Sequence, residues 1–138
     1  MPDHPAILYL EDDAMSRTVM EVLLMEQMGL SQVAIFEDST DFITRVTHLP
    51  FEAQIVFLDI HIGPLNGFQM LKELRALPQY AHQPIVALTA SVMNEEIARL
   101  RSAGFTGVIA KPIDIDAFPE AITKLMAGQE LWGIRKIG

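Results

Sequence analysis

The feature that most constrains this chain is the run Ile55-Val56-Phe57-Leu58, which has no polar alternation and stops at Asp59. A half-exposed strand alternates apolar and polar residues. A short run without a polar side reads as a strand buried on both faces, which requires a parallel sheet with helices above and below. After Asp59 the composition becomes that of a loop, with His61, Gly63, Pro64, Asn66 and Gly67. A carboxylate thus stands where a buried strand surfaces, at the edge where open α/β sheets bind ligands. Taken alone, such an aspartate reads first as a turn starter.

The remaining segments repeat the pattern. Residues 6–10 form a second unalternating run, followed by Glu11, Asp12 and Asp13. A helix is predicted over 14–29 from the four-residue spacing of Val19 and Leu23 and of Met20, Leu24 and Met28, with Gly29 as its stop. A short strand over 32–36 leads to a helix that buries Phe42, Ile43, Val46 and Leu49, with Asp38 or Ser39 as the expected cap. A third helix spans about 67–77 and is closed by Pro78. The strand over 84–88 ends at Thr89-Ala90-Ser91, before a helix over about 94–103 with Met93, Ile97 and Leu100 on one side. The strand over 107–110 ends at Lys111-Pro112. The last helix, about 115–126, places Ile115, Phe118, Ile122 and Leu125 inward and tolerates Pro119 in its first turn. Five strand–helix units with short connections specify a parallel sheet covered on both faces, and right-handed crossovers leave few topologies. No internal linker or fixed-period repeat interrupts the 138 residues, so one domain is expected.

Composition narrows the function. Half the residues are hydrophobic and 20% are charged, a globular balance. No apolar run approaches the roughly 20 residues of a membrane span, so no membrane insertion is expected. The N-terminus has no basic stretch followed by an apolar core, so no secretory leader is expected. The chain lacks cysteine, which excludes disulfides and thiolate metal sites and fits a reducing, cytoplasmic location. A net charge of −8 opposes direct binding to nucleic acid.

In a parallel sheet the strand ends gather along one edge. Here that edge collects Glu11 and Asp12, Asp59, Thr89 and Lys111. Carboxylates brought close repel one another, so either their pKa values rise or a cation holds them. All-oxygen ligands with room for water favour Mg²⁺, with Mn²⁺ as a substitute, over zinc or copper. A lysine reaching the cluster leaves room for a small anion beside the metal. The two cations together would let a carboxylate oxygen attack phosphorus, giving an aspartyl phosphate. Asp59 is the candidate nucleophile, because the adjacent acids are taken by the metal.

The segments Leu10-Glu11-Asp12-Asp13, Leu58-Asp59 with Gly67 eight positions on, Leu88-Thr89-Ala90 and Lys111-Pro112 resemble the response-regulator receiver domain of two-component signalling. The resemblance spans about residues 6–126 in the family's order and spacing. It implies a flavodoxin-like (βα)5 fold with strand order 2-1-3-4-5. It also implies that Asp59 accepts a phosphoryl group from a sensor histidine kinase or histidine phosphotransfer protein, and that the protein assists this chemistry without being an enzyme. Asp12, Asp59 and the backbone carbonyl of His61 would hold Mg²⁺, with Glu11 acting through water. Thr89 and Lys111 would bond phosphoryl oxygens, and the Lys111–Pro112 peptide would be cis. His61 and Ser91 occupy positions that influence phosphoryl lifetime. The receiver would cover 1–127 and signal by binding a downstream protein.

Some residues depart from the pattern. Three residues before the lysine the family carries a tyrosine or phenylalanine whose ring reports phosphorylation. Val108 cannot swing a ring, so coupling from Thr89 is expected to be weak or to run through the backbone. Gly63 stands at a usual proline position, with Pro64 following. Helix 1 is unusually apolar, and Val22 and Met25 fall off its core face, which suits an adaptable docking surface for a kinase or phosphotransfer helix. The tail, 128–138, carries Trp132 and is read as a packing element, a homodimer contact or a linker stump. Beside the single-domain switch stand a phosphoryl shuttle or phosphate sink and an aspartyl-phosphate phosphatase. The phosphatase would want an acid where His61 stands. A flavin-binding protein is disfavoured by acids after the first strand, where a phosphate would be repelled.

Overall fold

The computed structural model describes residues 4–132. Its strands are β1 (Ile7–Leu10), β2 (Val33–Phe36), β3 (Ile55–Asp59), β4 (Ile85–Thr89) and β5 (Gly107–Ala110). They form one parallel sheet in the order β2-β1-β3-β4-β5, the flavodoxin-like order expected above. The helices are α1 (Ala14–Glu21), α2 (Phe42–Thr47), α3 (Gly67–Arg75), α4 (Asn94–Ala103) and α5 (Phe118–Met126).

The strands lack alternation because both faces of the sheet are core. Ile7, Tyr9, Ile55 and Phe57 point to one side and pack with Met20, Phe118 and Ile122 of α1 and α5. Leu8, Leu10, Val56 and Leu58 point to the other and pack with α2, α3 and α4 through Phe42, Val46, Met70 and Leu100. Each such side chain contributes about 1.5–3 kcal/mol by leaving water. Ile55 to Leu58 are wholly buried, so β3 is the central beam of the domain.

Several local expectations are corrected. Neither Asp38 nor Ser39 caps α2; its N-cap is Asp41, in a left-handed conformation (φ 48°) and without a side-chain capping bond. Asp38 instead accepts from the Thr40 N–H and pairs with Arg45 at 3.0 Å. Ser39 is buried and both donates to the Leu65 carbonyl (2.7 Å) and accepts from its N–H (2.6 Å), binding the loop after β2 to the loop after β3. Helix 1 is not regular to residue 29. From Val22–Gln27 it widens into a π-helix, in which the Met28 N–H reaches back to the Leu23 carbonyl at 2.9 Å. Leu23 and Leu24 stay buried while Val19, expected inward, is 40% exposed. α3 ends at Arg75, and Pro78–Tyr80 forms a separate 3₁₀ turn. Ile115 lies before α5 and is exposed, because Asp114 draws the chain into a turn by accepting from the Asp116 and Ala117 N–H groups. Met93 is the N-cap of α4 and is exposed. Of the tail, residues 133–138 lie outside the described residues.

Gly67 has a steric reason. A Cβ there would sit 2.6 Å from Ile60 Cδ1 and 3.0 Å from Ile60 Cα, so only glycine lets α3 start this close to the end of β3. Asn66 caps the same helix with a reciprocal box: its Oδ1 accepts from the Gln69 N–H (2.9 Å) while Gln69 Oε1 accepts from the Asn66 N–H (2.8 Å). Asn66→Ala is expected to lower stability by about 1 kcal/mol, read as an earlier urea midpoint with an unchanged slope.

Candidate functional site

Register brings the strand ends together. Leu10 pairs with Leu58, Asp59 with Leu88, and Thr89 with Ala110, so Glu11, Asp59, Thr89 and Lys111 emerge side by side. Lys111 closes the group. Its Nζ lies 3.0 Å from Asp59 Oδ2 and 3.0 Å from Glu11 Oε1, and donates to Glu11 Oε2 at 3.2 Å. These contacts join residues 100 and 52 positions apart in sequence. The pocket is mostly enclosed: Glu11 and Asp59 are buried, and the Lys111 side chain is 25% exposed. Of Glu11, Asp12 and Asp59, Asp12 alone faces solvent.

One oxygen of each buried carboxylate is also oriented by backbone. The His61 N–H donates to Asp59 Oδ1 at 2.9 Å, and the Asp13 N–H donates to Glu11 Oε2 at 3.1 Å. Asp13 itself is committed to capping α1, accepting from the Ser16 N–H and hydroxyl, and these bonds hold its carboxyl below the usual carboxylate range. Burial pulls the Lys111 ammonium toward deprotonation, but bonds to Asp59 and Glu11 and their charges outweigh it, so its pKa lies above that of an ordinary lysine.

One carboxylate oxygen from each of Glu11, Asp12 and Asp59 lies within 4.8 Å of the others. Two buried hard-oxygen donors and one solvent-facing donor suit a magnesium-type cation that keeps part of its water shell. Thr89 is fully buried; its Oγ1 accepts from the Ser91 N–H at 3.1 Å, so its own proton remains to donate. Its carbonyl accepts from the Lys111 N–H at 2.9 Å. His61 is exposed and Ser91 half-buried, both at the rim and tied to the pocket through their N–H groups. Val108 is buried in the core between the sheet and α4. The Lys111–Pro112 bond is cis, and so is Gly63–Pro64.

Two residues escaped the sequence reading. Arg17 reaches back from α1 to donate to the Glu11 carbonyl at 3.1 Å. Tyr9 lies two positions before Glu11 on the same face of β1, packed against Phe57 and Phe118, and its buried hydroxyl has no hydrogen-bond partner. Burial, then the charges of Glu11 and Asp59, push its pKa up. The available signal was a tyrosine inside a wholly apolar run, whose hydroxyl must go somewhere.

The sequence profile of the response regulator receiver domain matches residues 7–123. The chain belongs to the response regulator receiver family. Members of this family are regulatory phosphoacceptors. The receiver is 25% identical over 119 residues to the chemotaxis protein CheY-3 of Vibrio cholerae, covering 86% of this chain and 89% of that protein. In structure it resembles the chemotaxis response regulator CheY4 of Vibrio cholerae, with TM-score 0.78 and 20% identity over 88% of this chain and 98% of that one. It also resembles the receiver domain of the sensor histidine kinase PA1611 from Pseudomonas aeruginosa, described with a magnesium ion coordinated in its active site cleft. The TM-score is 0.77 at 22% identity, covering 90% of this chain and 98% of that domain.

Removing the lysine leaves two buried carboxylates unpaired. Lys111→Met is expected to cost about 2–4 kcal/mol at pH 7, less than a fully buried pair because the ammonium is partly hydrated. Urea unfolding at pH 7 should show an earlier midpoint in the variant with an unchanged slope.

Proposed function

We propose that this receiver takes a phosphoryl group onto Asp59 from a phosphohistidine of a sensor kinase or phosphotransfer protein, and signals by altered binding to a downstream protein. The observation that carries this is the ammonium of Lys111 held 3.0 Å from Asp59 Oδ2 at the mouth of an acid pocket. An Asp59 oxygen attacks phosphorus as the P–N bond breaks, and the electron pair of that bond returns to the imidazole. Lys111 moves its charge onto a phosphoryl oxygen, and Thr89 donates its free proton to another. Glu11, Asp12, Asp59 and the His61 carbonyl would hold Mg²⁺, whose charge offsets that of the phosphoryl oxygens when it is bound. The magnesium-bearing cleft of the PA1611 receiver supports that assignment. His61 and Ser91 would tune the lifetime of the phosphorylated state from the rim.

The docking surface assigned to the phosphodonor is helix 1. Met15, near the start of the helix, is 74% exposed, and Val19 and Met25 farther along are 40% and 42% exposed, so the helix offers apolar, deformable side chains to a partner. The receiver is assigned to the cytoplasm with its phosphodonor; among the described residues no helix is long and apolar enough to cross a membrane. The receiver unit would be residues 1–127. A second reading, a phosphoryl shuttle or sink without its own output, is favoured by Val108, an aliphatic core residue that carries no ring to re-aim.

With Mg²⁺ and a small acyl phosphate the protein should gain one acid-labile phosphoryl group by intact-mass spectrometry, and Asp59→Asn should gain none. Equal labelling of both would remove Asp59 as acceptor. Asp12→Asn should weaken Mg²⁺ binding by about tenfold or more, because a carboxylate ligand loses charge and geometry together; calorimetric titration checks this.

A further inference from the structure

Past α5 the chain turns back at Gly128 and runs along the outer side of β5. The Leu131 N–H donates to the Thr106 carbonyl at 3.1 Å and the Val108 N–H donates to the Leu131 carbonyl at 2.9 Å, a parallel bridge opposite Gly107. Gly107 is shaped for this contact. A Cβ there would meet Leu131 Cβ at 2.6 Å and the Leu131 carbonyl oxygen at 2.7 Å. The next two side chains go to opposite faces of the sheet: Leu131 joins the core under α5, and Trp132 joins the core under α4. Arg101 of α4 lies over the Trp132 ring at 4.8 Å, and the indole N–H donates to Glu130 at 2.7 Å. Residues 129–132 therefore bind α5, β5 and α4 to one another.

β5 is short, and it carries the strap on its outer side near one end and Lys111 just past the other. Only Ile109 and Ala110 separate Val108, which holds the strap, from Lys111, which holds Glu11 and Asp59. We propose that residues 129–132 are a strap coupled to the acid pocket: docked on β5 while Lys111 is shared between Glu11 and Asp59, and loosened when a phosphoryl group at Asp59 draws the ammonium away. The coupling runs through backbone, from Lys111 along β5 to the Val108 N–H, and needs no side-chain rotamer change at Val108. It rests on Asp59 as the acceptor. Coupling is reciprocal, so a receiver with its strap displaced binds a phosphoryl mimic more tightly by the factor with which the mimic loosens the strap.

Trp132 is the chain's single tryptophan, so its emission reads the strap directly. The test uses the full chain with Mg²⁺ and beryllium fluoride, a tetrahedral phosphoryl mimic whose binding is followed by fluorine NMR. In wild type, hydrogen exchange at the Val108 and Leu131 amides should rise about fivefold or more on binding, with a shift in Trp132 emission. Asp59→Asn should show neither change. Gly107→Ala, which places a methyl where Leu131 sits, should bind the mimic more tightly by a matching factor; Trp132→Ala, which removes the packing and not the bridge, should do so by less. Bound mimic with unchanged exchange at both amides, or wild-type affinity in both variants, overturns the strap and leaves the acceptor reading intact. No binding in wild type overturns both.

Discussion

The carboxyl edge of the sheet is held together by one ammonium between two desolvated carboxylates. At a separation of roughly 4 Å, two like charges in a partly screened site repel by about 4 kcal/mol, and burial removes the water that would otherwise absorb the cost. Lys111 reverses the sign of that interaction by lying within 3.0 Å of both Glu11 and Asp59. The rest of the domain is arranged to deliver it there. β1, β3 and β5 must end level with one another, which requires a parallel sheet, and a parallel sheet requires helices on both faces.

The same ammonium explains why the pocket is poised rather than inert. A lysine shared between two carboxylates can be drawn toward a third anion without leaving either of them far behind. Backbone N–H groups from His61 and Asp13 each steady one oxygen of these carboxylates, so the acids keep their aim while the cation moves. Asp13 is removed from the metal set by its duty to α1, and Asp12 stays at the solvent edge, where an incoming hydrated cation would first meet protein.

The strands and the convergence of their ends were legible in the sequence because both leave simple marks. Unalternating runs ending in acids, a hydroxyl or a lysine are visible without coordinates, and the parallel arrangement follows from them. Gly67 could be noticed, but its reason could not: contact with Ile60 is a tertiary fact. Where the reading failed, tertiary context overrode local pattern. Val19 and Ile115 have the spacing of core residues, yet Val19 is 40% exposed on the regular part of α1 and an Asp114 turn puts Ile115 in solvent. Asp38 has a capping side chain but spends it on Thr40 and Arg45, leaving Asp41 to begin α2. Such choices depend on which neighbour offers the better bond, and spacing carries no record of that.

An outermost strand with free N–H and C=O groups is a template for any passing extended chain. In this molecule the rim of β5 is shielded by atoms from Leu131 and by a tryptophan pinned under an arginine. Protection against unwanted self-association and readiness to respond thus draw on the same handful of contacts. Strengthening them would make a quieter, better-behaved protein, and weakening them a more responsive one that is harder to keep apart from its own copies.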